Sequence, residues 1–529
     1  MIQAPVSGDL RRIRRVALGD SVHRSALRFG DRTAVVDGAR RLTYAQLDEQ
    51  SNRLAHRLLS SCPRGIAVGM LCANSAEMIV AINGIHKSGN VWVPVNVMLD
   101  AASIRYILQH AEVRVLVIDE EIAARPPIAA VVAELQLPLI VTRASGIDPP
   151  IGTPLAQAMQ GQPSTLPDIE IRGDEVALLM YTSGTTGHPK GVMHSHESVQ
   201  AGVASNVAAF RFDERDVVSC VLPLFHVGQH CLVATGLHVG LCIVISRGFS
   251  PPDVIEAIAR ERMSVFVGLP MMFGAILADP RAAGADFSSL RLCIYAMAPM
   301  PRPLVERIAA RMTPNIALAT GQTEIYPVTM SFHPVVHSDR DANYWGVSTN
   351  ACETAIMDDD GNLLGRGVVG EIVHRGANVM LGYYKDPDAT AAAQRHGWHH
   401  TGDLGLIDAG GQLLFLDRKK DMIKTGGENV ASIKVESALL AHPAVAGVAV
   451  VGLPHPRWSE AVAAFVVRRP QAACDEGELE AHCRRLLAGF EVPKAIRIVE
   501  ALPMTATGKM QKHLLRTQHA DLFAGDEVG

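Results

Sequence analysis

The chain has 529 residues, 48% of them hydrophobic and 19% charged, and a net charge of −5. This excludes a disordered chain, gives a nucleic-acid binder no basic footprint, and leaves room for more than one domain around a large core. Nine scattered cysteines, odd in number and without a Cys-x-x-Cys pair, read as reduced core residues of a cytoplasmic protein.

The N-terminus is polar and then basic, unlike a secretory signal. The Arg-rich stretch 10–16 reads as a solvated segment, with weak contact to an anionic membrane surface as the alternative. The longest apolar stretch, 231–245, is interrupted by His238 and is too short to span a bilayer. It reads as a buried helix followed by a strand.

Residues 20–60 predict a helix, a short hairpin over 34–42 and a second helix from Thr43, where Thr43 and Gln46 fit a capping box. Strand-length apolar runs at 66–72, 91–97, 113–118 and 137–141 alternate with helical runs at 76–86 and 101–109. Ser88-Gly89 reads as a helix C-cap. Another strand is expected just before Tyr181. The alternation resumes at 241–246, 252–262, 264–268, 290–295, 303–312 and 315–319. Such spacing predicts an α/β protein with parallel-rich sheets covered by helices. After Gly346, short strands between Asp-Gly and Gly-Gly turns predict a small β subdomain. A charged cluster, 417–421, separates it from a compact α+β segment. The expected organisation is a large domain over 1–416, a hinge at 417–420 and a small mobile domain over 421–529.

The most informative stretch is Tyr181-Thr-Ser-Gly-Thr-Thr-Gly-His-Pro-Lys-Gly191. Gly184, Gly187 and Gly191 let the backbone approach a ligand or take positive φ. Consecutive amides in such a loop form a nest for an anion. Thr182, Ser183, Thr185 and Thr186 add hydroxyls, and Lys190 adds a fixed positive charge. This suits a polyphosphate. It is not a Walker A motif, because Gly191 and Val192 follow the lysine and the next stretch reads as strand.

The loop resembles the phosphate-binding signature of the adenylate-forming superfamily, which includes acyl-CoA synthetases, peptide-synthetase adenylation domains and luciferases. Other motifs follow in the family's order, from about residue 20 to Lys512. Thr320-Gly321-Gln322-Thr323-Glu324 follows a predicted strand, at the end where α/β enzymes place ligands. By resemblance Thr323 contacts phosphate and Glu324 holds Mg²⁺, an ion that takes oxygen ligands and bridges phosphates. Thr320 stands where the family has an aromatic residue against adenine. Tyr295-Ala-Met-Ala-Pro-Met300 stands at the Gly-Gly-Ala-Pro position lining adenine and the acyl channel; Ala298 matches and Met297 adds a thioether wall. His226, with Val227, Gly228 and Met271, falls at the acyl pocket, and Tyr344 and Trp345 stand where bulk would shorten it. Asp403, expected on a turn, resembles the carboxylate that accepts from the ribose diol, supported by Arg418.

Lys420 matches the family's hinge. Lys424, Gly426, Gly427 and Glu428 resemble the loop that serves thioester formation in the acyl-CoA synthetase branch. Nearby Ser432 and Lys434 replace the usual Pro and Glu. Lys509, in Ala506-Thr-Gly-Lys509, resembles the lysine that meets the α-phosphate and carboxylate during adenylation, with Thr186 and Glu324 beside it in the catalytic set.

The resemblance implies an acyl-CoA ligase that uses ATP, Mg²⁺ and CoA to activate an apolar monocarboxylic acid, fatty or aryl, through acyl-AMP. It implies a monomer or homodimer. A rival reading is an acyl-AMP ligase that loads a carrier-protein thiol in trans, since no carrier domain follows Gly529. More distant ones are a luciferase-like oxygenase and an inactive nucleotide-binding homologue. His194 and His196, alternating on a predicted strand, invite a metal reading, but no neighbouring Cys or carboxylate completes a zinc set.

Overall fold

The computed structural model describes residues 13, 15–146, 151–182, 189–296, 299–340, 342–470, 472–504 and 510–525. The chain divides into two compact units, residues 1–354 with 374–399, and residues 355–373 with 400–529. The expected hinge residues 417–420 therefore lie inside the second unit.

The first unit contains two sheets. One has eight strands, in the order Gly382–Tyr383, Gly191–Ser195, Val176–Tyr181, Val91–Pro94, Ala67–Leu71, Val115–Asp119, Leu139–Thr142 and Thr153–Pro154. It is parallel from Val176–Tyr181 onward and antiparallel at the other edge. The other sheet runs from Tyr344–Ser348 through Ile325–Phe332, Ile316–Gln322, Leu292–Tyr295, Val265–Gly268, Val217–Cys220 and Cys242–Ile245 to Thr33–Asp37 and Arg40–Thr43. Central strands read as unbroken apolar runs because helices cover both faces; Val115–Asp119 is buried at every position.

One large apolar core joins both sheets. Val68 and Leu178 of the first and Val218 and Ile243 of the second meet Ile79, Val203 and Leu232 on helices Ala76–Lys87, His196–Phe210 and Val227–Val239. Local caps start these helices where the sequence places hydroxyls and carboxylates. Thr43 and Gln46 form the expected capping box, and Ser75, Asp100 and Ser195 each accept a backbone N–H of the first turn. Ser195 ends one element and caps the next, so His194 lies on the strand while His196 opens the helix. The two do not share a strand face. Among the described residues, no helix is long and apolar enough to cross a membrane. All nine cysteines are free thiols.

The expected loop at 320–324 is instead the end of a strand and a tight turn. Ile316–Gln322 continues through Gln322 and turns at Thr323-Glu324 into Ile325–Phe332, with Thr320 opposite Met330 and Gln322 opposite Ile325. The reason is the returning run, which is buried at all eight positions and supplies a pairing partner through Gln322. Tyr344 stacks on Phe332, ring centroids 5.8 Å apart, and both pack into a second apolar cluster. Gly346 has φ +88° and a Cβ there would lie 1.9 Å from the Ser331 carbonyl oxygen, so the strand accepts only glycine.

The second unit pairs 400–407 with Leu413–Arg418 and builds a five-stranded sheet from Glu428–Val430, Ile423–Thr425, Ser459–Arg468, Val445–His455 and Ala495–Ile498. Helices Ser432–Leu440 and Glu476–Leu486 cover it through Val435, Leu439, Leu479 and Cys483.

Candidate active site

The ends of the hydroxyl–glycine loop are held by antiparallel strands. Tyr181 faces Gly191, and the Thr182 N–H donates to the Lys190 carbonyl at 3.0 Å. Ser183, Gly184, Thr185, Thr186 and Gly187 lie outside the described residues, as do Met297, Ala298 and Lys509. Gly191 is needed for space rather than for positive φ: a Cβ there would come 2.9 Å from Leu179 Cδ1 and 3.1 Å from the Tyr181 ring.

The short strand Gly382–Tyr383 adds to the edge beside Gly191–Ser195, with Gly382 opposite Met193 and the Tyr384 N–H donating to the Gly191 carbonyl at 2.7 Å. This pairing carries Tyr383 into the site. Lys190 Nζ lies 4.9 Å over the Tyr383 ring centroid, and the Tyr383 hydroxyl donates to Glu324 Oε1 at 3.0 Å. Burial, and then the Glu324 charge, push the phenol well above its ordinary value, so it stays a neutral donor. A lysine from the loop and a carboxylate from the Thr323-Glu324 turn thus meet on one tyrosine. Sequence reasoning passed over Tyr383; its signal was the aromatic pair in Leu381-Gly-Tyr-Tyr384.

The turn is anchored from behind. His194 Nε2 lies 2.7 Å from the Thr323 carbonyl oxygen, and the Glu324 carbonyl accepts the Met380 N–H at 2.9 Å. Tyr326, two residues on, has its hydroxyl 2.8 Å from His230 Nδ1. Thr320 Oγ1 sits 3.4 Å from Thr329 Oγ1 within the hairpin. Gly321 closes against Pro327, whose Cβ lies 2.5 Å from where a glycine Cβ would stand. Gln322 Oε1 is 3.5 Å from His399 Nε2.

His226, Val227 and Gly228 stand at the N-terminus of the helix Val227–Val239, with the His226 ring tilted against Phe225 at 4.8 Å. Met271 is 74% exposed, because Phe273 and Ile276 form the buried face of its helix and Met271 points away from them.

In the second unit Asp403 is a buried strand residue rather than a turn residue, directly opposite Arg418; the positive φ falls on Gly402 before it. Arg418 Nε lies 3.9 Å from Asp403 Oδ1 with its side chain half exposed, so the pair is an orienting contact rather than a strong one. Glu371, absent from the sequence reading, binds the Gly402 N–H at 3.0 Å, Lys419 Nζ at 3.1 Å and His400 Nδ1 at 3.2 Å. Lys420 is exposed and follows this strand pair. Thr425 and Glu428 flank a two-residue hairpin turn whose Gly426 and Gly427 have φ +59° and +88°, with Lys424 opposite Asn429. A type I′ turn requires positive φ at both positions. Ser432 Oγ donates to Asp417 Oδ2 at 2.7 Å and accepts from Lys512 Nζ at 2.6 Å, which is what a serine does there that a proline could not. Met504 and Met510 pair across the segment that contains Lys509.

Two sheets sharing one helical core, with a hydroxyl–glycine loop joining two strands of one and a Thr-Glu turn joining two strands of the other, define an α/β adenylate-forming enzyme. The chain belongs to the AMP-binding enzyme family: that family's model matches residues 22–384, and the model of the AMP-binding enzyme C-terminal domain matches 434–509. It is 34% identical over 486 residues to a long-chain-fatty-acid–CoA ligase of Mycobacterium tuberculosis, covering 91% of this chain and 93% of that one. It is also 34% identical over 513 residues to a feruloyl-CoA synthase of Amycolatopsis, covering 95% and 99%. Among solved structures, the anthranilate CoA ligase AuaEII in complex with anthranoyl-AMP is similar, with a TM-score of 0.86 and 28% identity over 96% of this chain and 98% of that one.

Proposed function

We propose that this protein is an ATP-dependent acyl-CoA ligase of the cytoplasm, activating an apolar monocarboxylic acid through acyl-AMP and transferring the acyl group to CoA. The observation that carries this reading is the meeting of Lys190 and Glu324 on Tyr383, beside the ends of the hydroxyl–glycine loop. A loop cation and a single carboxylate suit a polyphosphate and Mg²⁺, which takes one or two protein carboxylates and leaves other positions to phosphate oxygens. Bound there, Mg²⁺ supplies neutralisation of phosphate charge. The relatives are named for a fatty acid and an aryl acid, so the reading is of an acid class rather than one compound.

In the first step the acid carboxylate attacks the α-phosphorus of ATP, the bond to the β-phosphate oxygen breaks, and pyrophosphate leaves. The chain contributes positioning and fixed charge, as transfer at phosphorus demands. Thr182, Ser183, Thr185, Thr186 and Lys190 hold the phosphates, Asp403 with Arg418 orients the ribose, and Lys509 meets the charge that develops between carboxylate and α-phosphate. In the second step the CoA thiol attacks the acyl carbon and AMP leaves. Lys509 serves the first step and the Lys424–Glu428 hairpin the second, with the chain turning about Lys420 between them.

The test is pyrophosphate release from ATP over a panel of carboxylic acids, with and without CoA. Release that rises with one acid class and turns over only with CoA is expected. Release that CoA never accelerates points to a carrier-protein thiol as acceptor, and no release with any acid contradicts the reading. In the same assay Tyr383→Phe is expected to lower kcat/KM about 10–150-fold, in line with about 1.5–3 kcal/mol for a hydrogen bond to a charged group. An unchanged kcat/KM would remove Tyr383 from the site.

A further inference from the structure

The Thr323-Glu324 turn is gripped at its backbone by a histidine that the sequence reading considered only as a metal ligand. His194 Nε2 lies 2.7 Å from the Thr323 carbonyl oxygen. A carbonyl only accepts, so Nε2 carries the hydrogen. His194 is fully buried, and burial pushes its ring down to about 4, so at neutral pH the ring is uncharged and Nδ1 bears a lone pair. Ser198 Oγ lies 3.2 Å from Nδ1, on the first turn of the following helix. The Tyr326 ring stands edge-on to His194 at 5.7 Å. The Ser198 hydroxyl hydrogen is shared between Nδ1 and the Ser195 carbonyl oxygen at 3.0 Å, so the bond to Thr323 is the one that fixes the ring.

His194 lies on the short strand Gly191–Ser195, which begins directly after Lys190, while Thr323 immediately precedes Glu324. The bond therefore ties the strand that leaves the hydroxyl–glycine loop to the peptide that presents the Glu324 carboxylate. We propose that His194 is a positioning residue, which sets the peptide plane of Thr323-Glu324 and so the direction in which Glu324 meets the magnesium–nucleotide complex. Partners that orient a ligating side chain in this way typically change metal affinity or activity by about 10–100-fold when lost. The inference rests on the ligase reading above, in which Glu324 faces Mg²⁺.

Glutamine at 194 places an amide nitrogen about as far along the side chain as Nε2; asparagine places it near Nδ1, and leucine supplies none. The test compares His194→Leu, His194→Asn and His194→Gln with wild type in two measurements of the Mg²⁺ midpoint: thermal stabilisation by ATP as Mg²⁺ is raised, which reads binding alone, and pyrophosphate release at saturating ATP. Leucine and asparagine are expected to raise both midpoints about tenfold or more, with glutamine within about threefold of wild type. A residue that serves packing alone would lower the melting temperature and leave both midpoints in place; that result, or a glutamine variant shifted as far as asparagine, overturns the proposal. Should His194→Leu fail to fold, the asparagine–glutamine contrast decides it. A wild type that neither binds magnesium–ATP nor releases pyrophosphate overturns the ligase reading and this inference together. A normal wild type beside unmoved variants overturns the inference alone.

Discussion

Lys509→Ala is expected to lower acyl-AMP formation about 10²–10³-fold, while conversion of supplied acyl-AMP and CoA to thioester stays within about threefold of wild type. A positive charge set against the anion developing between carboxylate and α-phosphate acts in the first step. The second step expels AMP and is assigned to the Lys424–Glu428 hairpin, whose Gly-Gly turn leaves backbone without side chains at its tip. The half-reactions are separable, by pyrophosphate release for the first and by thioester formation from synthetic acyl-AMP for the second. Equal loss of both would contradict the division of labour.

Lys87→Met is expected to destabilise the first unit by about 1–3 kcal/mol, the cost of leaving the part-buried Asp48 carboxylate with only His23 and Asn52 as partners. Lys87 is fully buried and its Nζ meets Asp48 Oδ1 at 2.5 Å, Ser51 Oγ at 2.7 Å and Asn52 Oδ1 at 2.7 Å. Burial pushes the ammonium down to about 8. For Asp48, burial alone would raise the carboxyl, but the charge and hydrogen bond of Lys87, joined by those of His23, outweigh it and hold the group below its ordinary value. The folded carboxyl therefore titrates below the unfolded one at about 3.9. Its contribution is present above that pH and fades as pH falls through the folded value. Urea midpoints should differ fully between variant and wild type at pH 7, and the gap should narrow below about pH 4. A gap independent of pH across that range, or none at pH 7, would contradict this account.

Helices and strands were legible where local chemistry decides them. Thr43 with Gln46, Ser88-Gly89 and the unbroken apolar strand around Leu116 each act within a few residues. What escaped depends on distant pairing. The strand through Thr320 and Gln322 is extended by Ile325–Phe332, whose buried run the sequence shows but whose register it does not. Tyr383 reaches Lys190 and Glu324 because Gly382 pairs with Met193, far away in the chain. Glu371 gains its meaning from Gly402 and Lys419. Similarly, residues 355–373 belong to the second unit through contacts that composition does not reveal, and the change of texture near 417–421 falls inside that unit. The exposure of Met271 depends on which helix face packs, with Phe273 and Ile276 buried, and the sequence does not show that.

One reaction containing an apolar carboxylic acid, ATP, Mg²⁺ and CoA, analysed for all products by phosphorus NMR and mass spectrometry, tests the central claim most directly. The account predicts AMP, pyrophosphate and acyl-CoA in equal amounts, with ATP cleaved between the α- and β-phosphates. ADP with inorganic phosphate, or AMP formed without any acyl product, would contradict it.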